Sequence, residues 1–407
     1  MTAATSASHT NDLIEQKLEQ LPAILNEKAI DVWLVFVRES ETLHDPTLDT
    51  LVGANVTWQS AFLFNTKGQR IAIVGSLDVA RIERTGHFTQ VIGYGEGIGD
   101  DLRRTLGDLD PQSLALNYST ETELADGLTH GMYLLLQRLL EGTPYMARAV
   151  SSQPIVAALR GRKSAFEIAQ IRTACTITQE IFDAVTPKLA VGLTEQDVAQ
   201  LLRAEMDARK LPPAWDPNHC PAVFTGPDSA GAHADPTDTP IEPGHVMNVD
   251  MGVKVGGYCS DMQRTWYFLK PGETSAPAAV LRGFETIVEA IEAAGRMLKP
   301  GVLGHEIDAV ARSLITGKGY PEYNHGLGHQ VGLAAHDGIG LLCPQWERYG
   351  ERALLPVEVG QVYTIEPRLP IEGHGIATME EIVVVTDRGC EYLSEPQKEI
   401  YLVPQPG

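Results

Sequence analysis

Two strand-like segments joined by the dipeptide Gly256-Gly257 constrain the fold of this chain more than any other feature. The segments are residues 246–255 and 258–268, and both are rich in apolar side chains. Two consecutive glycines can both adopt a positive φ, which the tight turn of a two-residue hairpin requires. The sequence therefore predicts an antiparallel hairpin in which Asp250 lies opposite Gln263.

Two aspartates of this hairpin are predicted to lie close together. Because side chains alternate between the faces of a strand, Asp250, Gly252 and Asp261 share one face. The two carboxylates become diagonal neighbours at about 7 Å or less, and the glycine leaves space between them. Such a pair repels unless a cation compensates the charge. A solvated edge hairpin, with both aspartates facing water, is the alternative that the pair alone leaves open.

Three histidines in a glycine-rich stretch form a second group of candidate residues. They are His325, His329 and His336, and the whole chain has 12 histidines. The spacing of His325 and His329 matches the HExxH helix of zinc peptidases, but no glutamate follows His325 and the glycines disfavour a helix. The group favours a metal or substrate site, although any single histidine could be a buried packing residue.

Acidic residues beside two apolar segments form a third group. Glu366 is followed by Pro367, and the pair Glu380 and Glu381 precedes the apolar run 382–385. Neighbouring residues of a strand face opposite sides, so only one of these two glutamates can join a common site, and alternation does not choose between them. Carboxylates favour hard cations such as Mn(II) or Mg(II), and mixed oxygen and nitrogen ligands also accept Zn(II), Co(II) or Fe(II). An acid that simply ends a strand is the alternative.

The length of 407 residues predicts two domains. The polar start of the chain is expected to be a frayed tail rather than a signal peptide. A helix pattern from residue 11 and short apolar runs then indicate a small α/β domain, and long helices with further strands follow from residue 157. The helix openings at Gly192 and Gly301 resemble each other at an offset of 109 residues, which indicates an internal duplication.

The composition of the chain argues against a nucleic-acid partner, a membrane helix and a disulfide framework. A formal net charge of -21 lacks the basic footprint that nucleic-acid binding needs. No apolar run reaches the roughly 20 residues of a membrane helix. The 5 cysteines are odd in number and lack CxxC spacing, which favours free thiols in the cytoplasm over disulfides or a zinc knuckle.

Taken in order, these groups resemble the motifs of the pita-bread metallopeptidases, which include Xaa-Pro dipeptidases (prolidases), aminopeptidase P and methionine aminopeptidases. The matching residues are Asp250, Asp261, His329, His336-Asp337, Glu366-Pro367 and Glu380, with His233 upstream. The family's spacing to Thr386 selects Glu380 over Glu381. The resemblance covers residues 157–402.

The resemblance implies a fold, domains and a reaction. It implies an α/β (α+β) protein with a creatinase-type N-terminal domain, residues 11–156, and an internally duplicated pita-bread catalytic domain, residues 157–407. The expected reaction is hydrolysis of Xaa-Pro peptides before proline by a hydroxide that two divalent metal ions activate; Mn(II) is expected, with Co(II) or Zn(II) as alternatives. The implied metal ligands are Asp250, Asp261, His329, Glu366 and Glu380. Relatives are commonly homodimers.

The same resemblance implies roles for residues around the metals. Glu366 is expected to pass a proton to the leaving nitrogen as well. His233 and His336 are expected to hydrogen-bond the substrate or the tetrahedral intermediate. His325 is expected in the substrate pocket or beside a metal ligand.

The sequence departs from the proline-specific members of the family at two positions. An arginine that they often carry two residues before the last metal glutamate is Thr378 here, and a tyrosine after the Glu-Pro motif is Pro370. We therefore hypothesise that Arg368 or His374 binds the carboxylate of the substrate. Aminopeptidase P, acting on longer peptides, is the alternative activity. A metal-independent creatinase-like enzyme and a non-catalytic peptide-binding module are disfavoured by the complete set of ligands.

Overall fold

The computed structural model of the protein describes residues 3–228 and 235–405. The chain divides into two compact units, Met1–Arg160 and Gly161–Gly407. Both units mix helices and strands, which confirms the predicted α/β class. Within the described residues, no helix combines the length and the apolar character needed to cross a bilayer.

A six-stranded mixed sheet forms the centre of the first unit. Its strands are β1 (Val32–Val37), β2 (Ser60–Asn65), β3 (Arg70–Gly75), β4 (Gln90–Tyr94), β5 (Leu114–Leu116) and β6 (Ala149–Ser151). Their order across the sheet is β4-β3-β2-β1-β5-β6. The helices are α1 (Ala3–Glu27), α2 (Leu48–Leu51), α3 (Val79–Thr85), α4 (Gly99–Leu109), α5 (His130–Leu139) and α6 (Gln153–Gly161).

Apolar cores cover both faces of this sheet, as the residues of β1 illustrate. Every residue of β1 is buried. Trp33 and Val35 belong to the core on one face, and Leu34 and Phe36 belong to the core on the other. A strand that is buried on both faces has a continuous apolar sequence rather than an alternating one, and residues 32–37 have that pattern.

The first helix begins earlier than the sequence predicts. A frayed tail is expected before Asn11, but α1 begins at Ala3. Alanine has the highest helix propensity of all residues, and the segment contains alanines at positions 3, 4 and 7. Intrinsic propensity therefore extends the helix beyond the apolar periodicity on which the prediction depended.

Two pairs of helices in the second unit carry the internal duplication. They are α7 (Ala165–Val185), α8 (Glu195–Ala208), α9 (Ala278–Met297) and α10 (Gly304–Gly317). The start of α8 at Glu195 corresponds to the start of α10 at Gly304, and the end at Ala208 corresponds to the end at Gly317. Both ends keep the offset of 109 residues that the two helix openings have in the sequence.

The strands of the second unit form two larger sheets and three two-stranded pairs. They are β7 (Ala222–Thr225), β8 (Val246–Met251), β9 (Lys254–Val255), β10 (Tyr258–Cys259), β11 (Met262–Phe268), β12 (Gly328–His329), β13 (Leu341–Leu342), β14 (Val362–Ile365), β15 (Arg368–Ile371), β16 (Gly375–Thr378), β17 (Glu381–Thr386), β18 (Gly389–Tyr392) and β19 (Tyr401–Val403). The larger sheets have the orders β19-β11-β8-β7 and β14-β17-β18, and the pairs are β9-β10, β12-β13 and β15-β16. A bridge between Gln263 and Glu380 connects the two larger sheets.

The predicted hairpin is confirmed in its turn and in its register. Gly256 and Gly257 have φ angles of 58° and 93°, so both turn positions need glycine. Asp250 pairs with Gln263 across β8 and β11, as the two-residue turn predicts.

A short irregular segment, in which Gly252 and Val253 contact Ser260, interrupts the strand pairing of the hairpin next to the aspartates. The hydroxyl oxygen of Ser260 accepts a hydrogen bond from the backbone N–H of Val253 at 2.9 Å. A Cβ atom at position 252 would lie 1.9 Å from the carbonyl oxygen of Ser260, so only Gly252 allows this approach. This irregular segment ends immediately before Asp261 and thereby fixes the position of that carboxylate relative to β8.

Candidate metal centre

Four carboxylates and one imidazole meet in a cavity of about 390 Å³ in the second unit. Each lies at or near the end of a different strand, and together they span residues 250–380. These side chains are Asp250 in β8, Asp261 before β11, His329 in β12, Glu366 after β14 and Glu380 before β17. Trp215, His219, Ala222, Ala335 and His336 complete the lining. The structure therefore brings all five residues that the sequence predicts as metal ligands into one cavity.

The imidazole of His329 directs its Nε2 atom at three of the carboxylates. This atom lies 3.4 Å from Oε1 of Glu366, 3.7 Å from Oδ2 of Asp261 and 3.8 Å from Oε1 of Glu380. The Nδ1 atom lies 3.3 Å from the carbonyl oxygen of Gln330, which can only accept, so Nδ1 donates and the neutral ring keeps a lone pair on Nε2. Ligand atoms of Asp261, His329 and Glu380 lie within 4.8 Å of one another, a spacing that suits a shared cation.

Burial of the four carboxylates raises their pKa values. The pKa of Asp250 rises to about 7 and that of Glu366 to about 8, in each case chiefly because burial disfavours the charged form. Burial likewise raises the pKa of Asp261 and of Glu380, and the neighbouring carboxylates raise both further.

Two carboxylate oxygens in this group are buried without a hydrogen-bond partner in the described structure. One belongs to Asp250 and the other to Glu380. Isolated buried charges are costly, and buried anions are normally paired or bound to metals. The unpartnered oxygens, the lone pair of His329 and the converging carboxylates fit divalent metal ions.

Glu380 and Glu381 face opposite sides, and their partners distinguish them. Glu380 lines the cavity. Glu381 forms a fully buried ion pair with Arg264, with 3.2 Å between Nη1 and Oε1. The same guanidinium group donates a hydrogen bond to the carbonyl oxygen of Glu380 at 3.1 Å. The ion pair therefore anchors the backbone that carries Glu380.

The predicted histidines lie in different surroundings. His336 lines the cavity, and its ring packs edge-on against that of His329 with 4.1 Å between ring centroids. His325 is not among the lining residues; its Nδ1 atom lies 2.7 Å from the carbonyl oxygen of Gly326. His233 lies outside the described residues. The cavity therefore contains His329 and His336 from the predicted set.

A buried ion pair supports the segment that carries these two histidines. The Nζ atom of Lys163 lies 3.1 Å from Oδ2 of Asp337, and both side chains are buried. The same oxygen accepts a hydrogen bond from the backbone N–H of Leu333 at 2.7 Å. Because Asp337 directly follows His336, the pair fixes the turn on which His336 enters the cavity.

The two residues considered as replacements for the missing arginine are well separated. Arg368 pairs with Thr378 across β15 and β16, and it lines a second cavity of about 370 Å³. His374 instead donates through Nδ1 to the carbonyl oxygen of Gly244 at 2.7 Å. Gly244 precedes β8, and Asp250 lies near the other end of that strand. His374 therefore lies near the end of β8 that is opposite to Asp250, and this position favours Arg368 over His374 as the residue that binds the substrate carboxylate.

Three residues of the site have no role in the sequence prediction. Gln263 donates hydrogen bonds to Glu366 and Glu380. The predicted register of the hairpin places Gln263 opposite Asp250, so its position beside the cavity could have been predicted from the sequence. Trp215 and His219 lie between α8 and β7, in an irregular segment where no periodicity marks an inward-facing side chain.

The second unit matches a known enzyme family in sequence. The sequence model described as metallopeptidase family M24 matches residues 169–387, which is more than half of the chain. The Xaa-Pro dipeptidase of Pyrococcus horikoshii is 31% identical over 247 residues, which are 60% of this chain and 66% of that relative. The match thus spans just under two thirds of that relative's length. These matches confirm the family resemblance that the motifs indicate.

Solved structures resemble nearly the whole chain. The Xaa-Pro dipeptidase from Bacillus anthracis superposes with a TM-score of 0.72 at 24% identity, covering 96% of this chain and 100% of that one. The X-Pro aminopeptidase from Thermotoga maritima superposes with a TM-score of 0.69 at 25% identity, covering 95% of this chain and 99% of that one. This likeness confirms the predicted fold, with a small first domain followed by a pita-bread domain.

Proposed function

Since the chain belongs to metallopeptidase family M24, we propose that it is a metal-dependent Xaa-Pro dipeptidase. It hydrolyses the peptide bond before proline in small peptides. The observation that carries the proposal is the cavity in which Asp250, Asp261, His329, Glu366 and Glu380 converge. The similarity to the Xaa-Pro dipeptidase of Pyrococcus horikoshii supports the class of substrate.

These five side chains are our proposed ligands for two divalent metal ions. Four carboxylates and one imidazole suit Mn(II), with Co(II) and Zn(II) as alternatives. Asp261 and Glu380 would contribute to both ions, Asp250 to one of them, and His329 with Glu366 to the other. The distance of 3.4 Å between Nε2 of His329 and Oε1 of Glu366 supports this last assignment. When bound, such ions lower the pKa of a water molecule and polarise the substrate carbonyl group.

Glu366 is our candidate for the proton transfer. Its Oε2 atom accepts a hydrogen bond from Gln263 at 3.3 Å, and its Oε1 atom faces the centre of the ligand cluster beside His329. We propose that Glu366 takes the proton of the attacking water and passes it to the proline nitrogen. His336 is proposed to hydrogen-bond the substrate carbonyl oxygen. His233 remains a proposed residue of the substrate pocket, and His325 is proposed to lie in that pocket or beside a metal ligand.

Arg368 is our proposed binding residue for the substrate carboxylate. It lies across from Thr378, the position where related enzymes often carry an arginine. The side chain of Arg368 is half-buried and forms no ion pair or hydrogen bond with the described part of the chain. It shares the cavity of about 370 Å³ with Tyr323, whose buried hydroxyl has no partner among the described residues. A guanidinium and a phenol can both donate to a carboxylate.

The substitution Arg368→Ala tests this assignment. We expect the KM for an Xaa-Pro dipeptide to rise about 10- to 100-fold, because a charge-assisted hydrogen bond contributes about 1.5–3 kcal/mol. The kcat should fall by less than the KM rises, since Arg368 does not line the cavity with the ligands and acts on Glu366 only through its charge. Arg388→Ala is the matched control, because Arg388 is exposed. An unchanged KM in Arg368→Ala would refute the assignment.

Metal reconstitution tests the proposed function itself. Chelator-treated protein should cleave Ala-Pro only after Mn(II), Co(II) or Zn(II) is added. Asp261→Asn and Glu380→Gln replace a ligand carboxylate by an amide of similar size, and both should abolish turnover while the circular dichroism spectrum stays unchanged. Glu372→Gln is the matched control, because Glu372 is exposed. Wild-type turnover in either ligand variant with metal retained would contradict the proposal.

Aminopeptidase P activity is the second candidate. The likeness to the X-Pro aminopeptidase from Thermotoga maritima, at 25% identity, favours it. Such an enzyme releases the N-terminal residue from longer Xaa-Pro peptides. Comparing the kcat/KM for Ala-Pro with that for Ala-Pro-Ala separates the two activities, because a dipeptidase prefers the first substrate.

We also propose a domain division, an assembly and a location. The N-terminal domain comprises residues 11–156 and the catalytic domain residues 157–407. The family resemblance supports a homodimer, which light scattering on the purified protein tests. Free thiols at all five cysteines support the cytoplasm, and cell fractionation tests that location.

A further inference from the structure

The side chain of Gln263 connects two glutamates of the cavity. Its Nε2 atom donates to Oε2 of Glu380 at 3.0 Å and to Oε2 of Glu366 at 3.3 Å. Its backbone pairs with Asp250 in the hairpin and forms a bridge to Glu380. Gln263 therefore contacts three of the five residues that we propose as metal ligands.

The hydroxyl group of Thr378 fixes the orientation of this amide. Thr378 donates through Oγ1 to Oε1 of Gln263 at 2.6 Å. An amide oxygen only accepts and an amide nitrogen only donates, so Nε2 faces the two glutamates, where both of its hydrogens find acceptors. The reverse orientation would direct Oε1 at two carboxylates. Gln263 and Thr378 are 3% and 2% exposed, so both hydrogen bonds lie away from bulk solvent.

Thr378 is itself held through its backbone. Its N–H donates to Oδ1 of Asn248 at 3.2 Å, and its carbonyl oxygen accepts from the hydroxyl of Thr265 at 2.5 Å. The hydroxyl of Thr265 also lies 2.7 Å from Oδ1 of Asn248. A buried polar network whose members are mutually bonded is rigid. Thr378 therefore presents its hydroxyl to Gln263 from a fixed position.

An uncharged donor between two carboxylates is well suited to a cation site. Hydrogen bonds from Gln263 stabilise the charged form of Glu366 and Glu380, which is the form that binds metal. The amide adds no positive charge that would repel a cation. An arginine at position 378, which related enzymes often carry, would bring such a charge and would need the space that Gln263 fills here.

We propose that Gln263 and Thr378 form a positioning pair that holds Glu366 and Glu380 in the orientation required for metal binding. This inference rests on the metallopeptidase function proposed above. The pair acts on the affinity for metal and on the geometry of the ligands, and it does not contact the substrate. Polar partners of this kind typically change metal affinity or activity by about 10- to 100-fold when they are removed.

Direct metal binding to chelator-treated protein tests the positioning pair without relying on catalysis. Gln263→Leu removes both donors at similar side-chain volume and should weaken Mn(II) binding about 10- to 100-fold in calorimetry. Thr378→Val removes only the hydroxyl and should weaken binding roughly 2- to 10-fold, as expected for one neutral hydrogen bond. Thr378→Ser retains the hydroxyl and is the matched control, with the Mn(II) affinity of the wild type.

The visible absorption spectrum of the Co(II)-loaded protein separates positioning from a merely structural role. This spectrum reports the geometry of the metal ligands, so it should change in Gln263→Leu and in Thr378→Val but not in Thr378→Ser. A lower melting temperature of the metal-free variants, with wild-type Mn(II) affinity and wild-type Co(II) spectra, would overturn the inference. The comparison of Thr378→Val with Thr378→Ser decides the outcome by itself if Gln263→Leu does not fold.

The measurements also distinguish this inference from the proposed function. A wild-type protein that binds Mn(II) but does not cleave Xaa-Pro peptides would refute the proposed substrate, while weaker metal binding by Gln263→Leu would still support the positioning pair. An active peptidase whose Gln263→Leu and Thr378→Val variants bind Mn(II) as tightly as the wild type would refute the pair and leave the function intact.

Discussion

The metal-free protein should lose stability as the pH rises, because buried carboxylates must ionise in the cavity. Glu366 gives the clearest case, since burial raises its pKa from the ordinary 4.5 to about 8. At about 1.36 kcal/mol per pKa unit, this difference corresponds to about 5 kcal/mol. A group whose pKa is raised on folding stabilises the fold below its unfolded pKa. That contribution is lost as the pH rises through its folded value, here the window from about 4.5 to about 8.

The variant Glu366→Gln removes this contribution together with the repulsion that Glu366 exerts on Asp261 and Glu380. The amide has a similar size and does not ionise, so it lacks the cost of a buried anion. Between about pH 4 and about pH 9, the free energy of unfolding of the metal-free wild type should fall relative to that of Glu366→Gln by up to about 5 kcal/mol. The substitution Glu372→Gln at an exposed position is the control, and its difference from the wild type should stay constant.

Urea unfolding of chelator-treated protein at several pH values measures these differences. Adding Mn(II) at a concentration of about 100 times its Kd should restore about 2.7 kcal/mol for each site. The restoration should be larger at high pH, where the ligands are ionised. A difference between wild type and Glu366→Gln that does not vary with pH, or that varies in the opposite direction, would refute the reasoning from burial.

Further substitutions and metal removal test other parts of the second unit. Lys163→Met should lower the free energy of unfolding by about 3–5 kcal/mol, because the buried carboxylate of Asp337 would lose the compensating charge of Lys163; urea unfolding checks this, and exposed Lys299→Met should change little. Gly252→Ala should weaken Mn(II) binding and destabilise the fold by about 1–3 kcal/mol, because the new Cβ would lie 1.9 Å from the carbonyl oxygen of Ser260. Chelator treatment should lower the melting temperature and Mn(II) should restore it; a melting temperature that does not respond to metal would contradict a metal centre.

Local sequence patterns were sufficient to predict the features that depend on the backbone conformation of a few neighbouring residues. The dipeptide Gly256-Gly257 predicts a turn with positive φ, and this turn alone sets the pairing of Asp250 with Gln263. The offset between the openings of the two amphipathic helices likewise predicts the duplication, because each helix begins after an equivalent glycine-containing turn. Both features depend on residues that are adjacent in the chain, so the sequence alone is sufficient to predict them.

Contacts between distant segments were not predictable in the same way. Glu380 and Glu381 are equivalent by strand alternation; the family resemblance selects Glu380, and the ion pair of Glu381 with the buried guanidinium of Arg264 gives the physical reason. Lys163 and Asp337 form their ion pair across a long stretch of sequence. No local pattern marks such a partner, because the folded arrangement of the strands determines which side chains meet.

The ligands lie so far apart in the chain that the metal centre can assemble only late in folding. More than a hundred residues separate Asp250 from Glu380, and closing so long a loop costs entropy that the packed sheets must first offset. The strand that follows Asp261 also pairs with the final strand, through Trp266 and Tyr401. A nascent chain that has not yet reached Glu380 therefore holds the first two aspartates without their partners. Metal uptake consequently requires that every segment from Asp250 to Glu380 has been made and folded.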